Sequence, residues 1–474
     1  MSKVVSTYNP ATDEKLAEYV ALDRDGLDLA LQATADAQRA WRTTDLKQRA
    51  QLLRNLATIL RDEVEAHATL ISNEMGKPIT EARGEVLKCA LTCDYYADHV
   101  EEYLAPKPVK TEAVTSYVAY EPIGVVLAVM PWNFPYWQVI RFAAPTLAAG
   151  NGGLLKHASN VTGSAVAIQD AIERAGFPKH LFTTLVIADH SMVNEIIADN
   201  RVAAVTLTGS EGAGASVAEA AGRALKKTVL ELGGSDPFVI LGDADVKAVT
   251  PFAVKARFIN TGQSCLCAKR FVVDAKVIAE FEAGLKTQVE ALKIGSPLDS
   301  ATQIGPLAKK SFVDDIDKQV QDSIAMGARL VTGGYRIEGP GNFYAPTVLA
   351  DVTPDMPCFN QETFGPVLAL AKAENTDDAI RLADLSQYGL AASIWTSDMN
   401  AGIELGKGIN SGALFVNGVV ASDPRLPFGG VKLSGYGREL SIEGMHEFTN
   451  VRAIWAGKPF VWHIYPQDDD AHQV

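Results

Sequence analysis

Two segments of the chain hold residues that could make and break covalent bonds. Asn260-Thr261-Gly262-Gln263-Ser264-Cys265-Leu266-Cys267 places two thiols in a small, polar stretch where a glycine lets backbone come close to a ligand. A cysteine thiolate attacks carbonyl carbon readily, whereas most buried cysteines are inert packing, so the segment gains catalytic meaning only beside a base. Glu231 is the candidate. It follows the apolar Thr228-Val229-Leu230 and precedes Gly233-Gly234, which would half desolvate the carboxylate and raise its pKa toward neutrality. A strand-end glutamate in a surface ion pair would read the same way, so it is the combination of thiol and acid that carries the expectation.

Other segments could hold ligands rather than react. Gly209-Ser210-Glu211-Gly212-Ala213-Gly214 follows an apolar strand ending at Thr208 and opens a helix to Lys227, aiming backbone amides at whatever lies beyond the strand. The spacing is G-x-x-G-x-G rather than the dinucleotide fingerprint G-x-G-x-x-G, and a plain tight turn accounts for it as well. Ribose is read at the tip of the strand after the first one of a dinucleotide fold. With Gly124 to Met130 as the first strand, that tip is Lys156-His157-Ala158-Ser159, not Glu231. An ammonium, an imidazole and a hydroxyl without a carboxylate favour a 2′-phosphate, so NADP is the expected cofactor, with NAD also accepted. Arg141 shares a helix face with Phe134 and Trp137; a guanidinium among aromatics calls for an anion, though a helix-end salt bridge would also satisfy it.

These residues need a large scaffold, and the chain supplies one. Its 474 residues are 47% apolar and 21% charged, as in globular proteins, which excludes disorder and fibrous repeats. A net charge of −14 repels nucleic acid and anionic lipid. No apolar run reaches the ~18 residues of a bilayer span, and no signal peptide is visible. Five cysteines point to a reducing compartment, the cytoplasm, and eight scattered histidines give no metal site. From Leu22 to about Val100 the spacing predicts helices, and Val109 to Tyr120 alternates like strand. Strands then alternate with helices through Gly124 to Met130, Leu154 to His157, Thr183 to Val186 and Ala203 to Thr208, as in a doubly wound parallel sheet. A second α/β unit begins beyond Gly234, with strands near Pro237 to Ile240, Phe271 to Val273 and Ala391 to Trp395, and Asp468-Asp469-Asp470 reads as a solvated tail.

Six blocks, in one order, resemble the aldehyde dehydrogenase superfamily: Pro131-Trp132-Asn133-Phe134-Pro135, Gly209-Ser210, Glu231-Leu232-Gly233-Gly234, Gly262-Gln263-Ser264-Cys265, Glu362-Thr363-Phe364-Gly365-Pro366 and Pro427-Phe428-Gly429-Gly430-Val431-Lys432. The resemblance spans about residues 5 to 458. It implies an α/β fold with a Rossmann-type cofactor domain (1–105 and 122–233), a second α/β catalytic domain (234–433) and a β oligomerisation arm (106–121 and 445–474) that adds to a neighbour's sheet, giving a homodimer or homotetramer. It also implies that Cys265 attacks the aldehyde, that the resulting thiohemiacetal becomes a thioester, and that Glu231 activates the water that hydrolyses it. Asn133 would be the oxyanion-hole amide. Trp132, Lys156, Ser159, Gly209, Ser210, Glu362 and Phe364 would hold the cofactor.

Within the superfamily, Arg141 and Ser422 resemble the carboxylate anchors of the succinate semialdehyde dehydrogenases, with Trp137 and Phe428 beside them in the substrate site. The runs Leu155 to Asn160 and Ala421-Ser422-Asp423 look like the bacterial NAD(P)-linked branch. Some members carry a second arginine six residues before the nucleophile; this chain has Ile259 there and Arg257 close by, so other semialdehydes or uncharged aldehydes come into range. The Cys265-Leu266-Cys267 pair resembles members in which a disulfide between those thiols switches activity off, while in many relatives the second thiol only packs.

Overall fold

A computed structural model describes residues 3–458. The chain opens with a hairpin, Val4–Tyr8 paired with Lys15–Val20, ahead of the stretch from Leu22 expected to be helical. Four helices follow: Arg24–Trp41, Leu46–Asp62, Val64–Met75 and Ile79–Tyr103. Asp23 and Asp45 start the first two by accepting hydrogen bonds from the amides of Gly26 and Lys47. The long fourth helix sets Val86, Ala90, Cys93, Ala97 and Val100 in the core at three- and four-residue steps.

Two large sheets carry the rest. The first is ordered Gly435–Tyr436, Lys227–Glu231, Val202–Thr208, Val125–Met130, Gly152–His157, Phe182–Thr184, all parallel except the Gly435–Tyr436 edge. Val125–Met130 sits mid-sheet under helices, which is why it is apolar on both faces rather than alternating. Its neighbours come from later segments on both sides, so the crevice beyond its carboxyl end, where Pro131-Trp132-Asn133 begins, is a topological switch point. The second sheet runs Arg329–Thr332, Thr347–Ala350, Val367–Ala373, Ala268–Asp274, Asp236–Ile240, Ala391–Trp395, Ala413–Val416, parallel apart from its first strand. The chain passes from one sheet to the other between Glu231 and Asp236, across the Gly233-Gly234 pair.

A third, three-stranded sheet stands apart from these two. Thr449–Ala456 pairs antiparallel with Thr115–Pro122 in unbroken register from Thr449 opposite Pro122 to Ala456 opposite Thr115, and Lys107–Pro108 adds a short third strand. Thr449–Ala456 is an edge, with Val451 and Trp455 exposed. The Asp468-Asp469-Asp470 tail lies outside the described residues. Among the described residues no helix is long and apolar enough to cross a membrane.

Candidate active site

The loop carrying the candidate nucleophile Cys265 is held in an uncommon backbone conformation. After the helix Val246–Phe258, three successive residues, Asn260, Thr261 and Gly262, have φ of 52°, 55° and 75°. At Gly262 a Cβ would stand 2.2 Å from the Gly365 carbonyl oxygen, so no other residue fits. Two polar side chains, half-buried Glu81 and buried Asn260, offset the strain. Glu81 accepts the Asn260 amide at 2.6 Å, and the Asn260 side-chain amide donates to the carbonyls of Asn133 (2.8 Å) and Gln263 (3.0 Å). Lys269, fully buried, donates to the carbonyls of Ser264 and Cys265, both at 2.9 Å, and pairs with Glu362 at 3.1 Å.

The structure places Cys265 on the wall between two cavities, of about 570 and 500 Å³, and its side chain lines both. Burial pushes its thiol up to about 12, against the pull of Lys269 and Arg141. The resting group is therefore a thiol that needs a proton acceptor before it attacks. Cys267 is buried, with its thiol directed at the Ile259 carbonyl, and lines neither cavity.

Glu231 ends the strand Lys227–Glu231 and is 2% exposed, deeper than the half-desolvated position expected from its neighbours. Burial first, and then the charge of Glu439, hold its carboxyl well above the usual range, while Arg141 and Arg438 oppose them. One carboxylate oxygen has no hydrogen-bond partner among the described residues; it rests against Gly429, where a Cβ would approach to 2.9 Å. A buried carboxyl of raised pKa with a free oxygen, in a space only glycine leaves open, suits a group that exchanges protons with a small molecule.

The larger cavity collects most of the expected cofactor residues. Trp132, Asn133, Gly209, Ser210, Glu362 and Phe364 line it. Trp132 stacks on Phe312 at 4.9 Å and meets the edge of Phe364 at 5.8 Å. Ser210 caps the helix Glu211–Arg223, whose N-terminus faces the cavity. Glu362 accepts the Gly234 amide at 3.0 Å, and Asn133 donates its side-chain amide to the Gln263 carbonyl at 3.2 Å, leaving its second hydrogen for an oxyanion. Lys156 and Ser159 stand at the tip of Gly152–His157 and do not line this cavity; Lys156 is buried and Ser159 exposed. His157 does not join them as a phosphate ligand. It is buried with Nε2 against the Pro135 carbonyl and Nδ1 accepting the Ala158 amide, and burial drops it to about 4, so it is neutral. In its place the structure brings one cation the sequence reading missed, Lys309. Burial first, and then the nearby Lys309, lower Lys156, and the charge of Lys156, followed by burial and the charge of Lys309, lowers His190. Such a cluster fits a dinucleotide bearing a 2′-phosphate.

The smaller cavity is lined by Trp137, Arg141 and Ser422, together with Lys88, Ile259 and Val419. Here two expectations need correction. Arg141 is not a lone guanidinium: buried at 2% exposure, it pairs with Glu439 at 2.5 Å and has Thr208 Oγ1 at 3.5 Å. Its anion comes from the chain itself, 298 residues on, a distance at which sequence gives no sign of pairing. Phe428 does not line the cavity. Its backbone exchanges two 2.7 Å hydrogen bonds with Glu439, which turns the ring onto the Arg141 guanidinium at 4.7 Å. Arg257 is no second anchor either, being spent on the carbonyls of Thr363 (2.9 Å), Gly365 and Val367. Lys88, by contrast, donates to Ser422 Oγ at 2.7 Å and sits 4.0 Å over the Trp137 ring. Its signal was present in the sequence, since Glu81, Glu85 and Lys88 recur at helical spacing on an otherwise apolar helix face.

Comparison with known proteins places this geometry. A model of the aldehyde dehydrogenase family matches residues 1–454, and one for the Elongation-Factor P rhamnosyltransferase EarP matches residues 446–474 only. A Synechocystis protein named "Probable succinate-semialdehyde dehydrogenase", with NADP(+), is 49% identical over 95% of this chain and 99% of its own. An Escherichia coli K12 succinate semialdehyde dehydrogenase, named for NAD(P)+, is 46% identical over 94% and 96%. The crystal structure of succinic semialdehyde dehydrogenase from Streptococcus pyogenes, in complex with NADP+, superposes with a TM-score of 0.93 at 40% identity, covering 96% of this chain and all of that one.

Proposed function

This chain belongs to the aldehyde dehydrogenase family, and from that premise we propose that it oxidises succinic semialdehyde to succinate, with NADP preferred and NAD accepted. The carrying observation is that Cys265 lines both cavities, one furnished for a dinucleotide and the other walled by Lys88, Arg141 and Ser422. The names of the relatives at 49% and 46% identity support the same substrate and cofactor.

In this reading Cys265 Sγ loses its proton to solvent water and bonds to the aldehyde carbon, whose C=O π pair moves onto oxygen. The Asn133 amide and the Cys265 backbone N–H stabilise the alkoxide, a contribution of about 3 kcal/mol per donor. Trp132, Gly209, Ser210, Glu362 and Phe364 would hold a nicotinamide dinucleotide in the larger cavity, with Lys156, Ser159 and Lys309 toward a 2′-phosphate, and that group would supply the hydride acceptor for oxidation of the thiohemiacetal to a thioester. Glu231 then takes a proton from water, the hydroxide adds to the thioester carbon, and succinate leaves as the thiol is restored. A cytoplasmic enzyme with cofactor domain 1–105 and 122–233, catalytic domain 234–433 and an arm of 106–121 and 445–474 completes the reading. The exposed edge Thr449–Ala456 would pair with a neighbour's sheet in a dimer or tetramer, a mass that light scattering reads.

The test is initial rates with succinic semialdehyde and with butanal, under saturating NADP and then NAD. The semialdehyde is expected to lead by about tenfold or more, and NADP to lead NAD. Ile259 on the substrate wall, where some relatives have arginine, favours a second reading with broader range; butanal keeping pace would establish it and overturn the first.

A further inference from the structure

We propose that Lys88, acting with the Ser422 hydroxyl, holds the distal carboxylate of the substrate and so sets the preference for acid-bearing aldehydes; this rests on the substrate reading above.

The argument is a survey of the charges around the smaller cavity. Arg141 is neutralised by Glu439 at 2.5 Å and covered by Phe428. Glu85 is tied to Lys77 and accepts the amides of Tyr136 (2.8 Å) and Trp137 (3.0 Å). Glu81 holds the Asn260 amide, and Asp423, next to Ser422, is paired with Arg425 at 2.6 Å. Lys255 is exposed, where water screens it. Lys88 alone is a largely desolvated cation whose bonded partners are a neutral hydroxyl and a ring face. Burial and the nearby Arg141 lower it to about 8, against smaller opposing pulls from Cys89, Glu85 and Asp423. A cation in that state lacks a counter-ion, and a carboxylate guest would provide one.

The geometry suits that guest. Ser422 Oγ accepts from Lys88, which leaves its own proton to donate, so ammonium and hydroxyl can meet the two oxygens of one carboxylate. Trp137 and Val419 offer apolar wall for methylene groups, and Cys265 closes the same cavity at the reacting end. Lys88 thus occupies the role left open by Ile259.

Lys88→Met keeps the stem and removes the charge. The ratio of kcat/KM for succinic semialdehyde to that for butanal is expected to fall by about tenfold to a hundredfold, mainly through KM, and Lys88→Arg to recover much of it. An unchanged ratio in a folded Lys88→Met protein overturns the proposal. Should that variant not fold, the wild-type protein decides. KM for the semialdehyde should climb about tenfold between pH 7 and 9 as Lys88 deprotonates, with butanal, which uses the same Cys265 and Glu231, flat over that range; parallel profiles overturn it. A wild type without preference for the semialdehyde refutes the substrate reading itself, whereas preference that survives Lys88→Met refutes only the role of Lys88.

Discussion

The two cavities that meet at Cys265 are built on different principles. The proposed cofactor side is made largely of backbone and of side chains in short blocks: a helix N-terminus behind Ser210, the glycine Gly233, and Trp132, Glu362 and Phe364 within family motifs. The proposed substrate side is made of charged and polar side chains that meet across hundreds of residues, Arg141 with Glu439 and Lys88 with Ser422. A surface made from local backbone geometry fixes what it binds; one made from long-range pairing can change its selectivity by changing a single partner.

Four substitutions probe that contrast. The largest effect belongs to the shared wall: Cys265→Ser should reduce aldehyde oxidation by about 10⁴-fold or more in steady-state assays while NADP binding, followed by fluorescence titration, persists. Retained oxidation would mean that the two sides do not converge there. Glu231→Gln should slow turnover by about 10² to 10⁴-fold and leave a rapid burst of one reduced dinucleotide per site, because the thioester forms but is not hydrolysed. Since Glu231 must ionise to act and its pKa is raised, the wild-type rate should rise with pH above the ordinary carboxylate range; the variant should lack that limb. On the cofactor side alone, Lys156→Ala should raise KM for NADP by about tenfold to a hundredfold with NAD nearly unaffected. Equal losses with both would remove the case for a 2′-phosphate site. Smallest is Ser422→Ala on the substrate side, a KM increase of about three- to tenfold for the semialdehyde and none for butanal, since one neutral hydrogen bond is lost.

The same contrast explains what could be read in advance. Cys265, Glu231 and the alternating strands were legible because nucleophile loops, sheet ends and glycine turns are local and leave short patterns. Ala391–Trp395 falls where periodicity puts it, and Thr449–Ala456 where the family resemblance puts it. At Arg141 the sequence allowed either a substrate anion or a salt bridge and gave no sign of the partner, because Glu439 sits in a bridge with Phe428 on a distant segment. His157 looked like a ligand by position, yet its imidazole turns inward to the Pro135 carbonyl, a choice set by packing against a segment 22 residues away. Lys309 and Lys269 stand on different elements from the groups they serve, and nothing in their own neighbourhoods marks them.

Lys269 also ties the two sides together mechanically. One nitrogen grips the peptide oxygens of Ser264 and Cys265 and, through the same three protons, the Glu362 carboxylate on the dinucleotide wall. It is a pin through two plates. The two cavity walls are thus joined over the span of a single ammonium group, so Glu362 and the Cys265 peptide share one anchor.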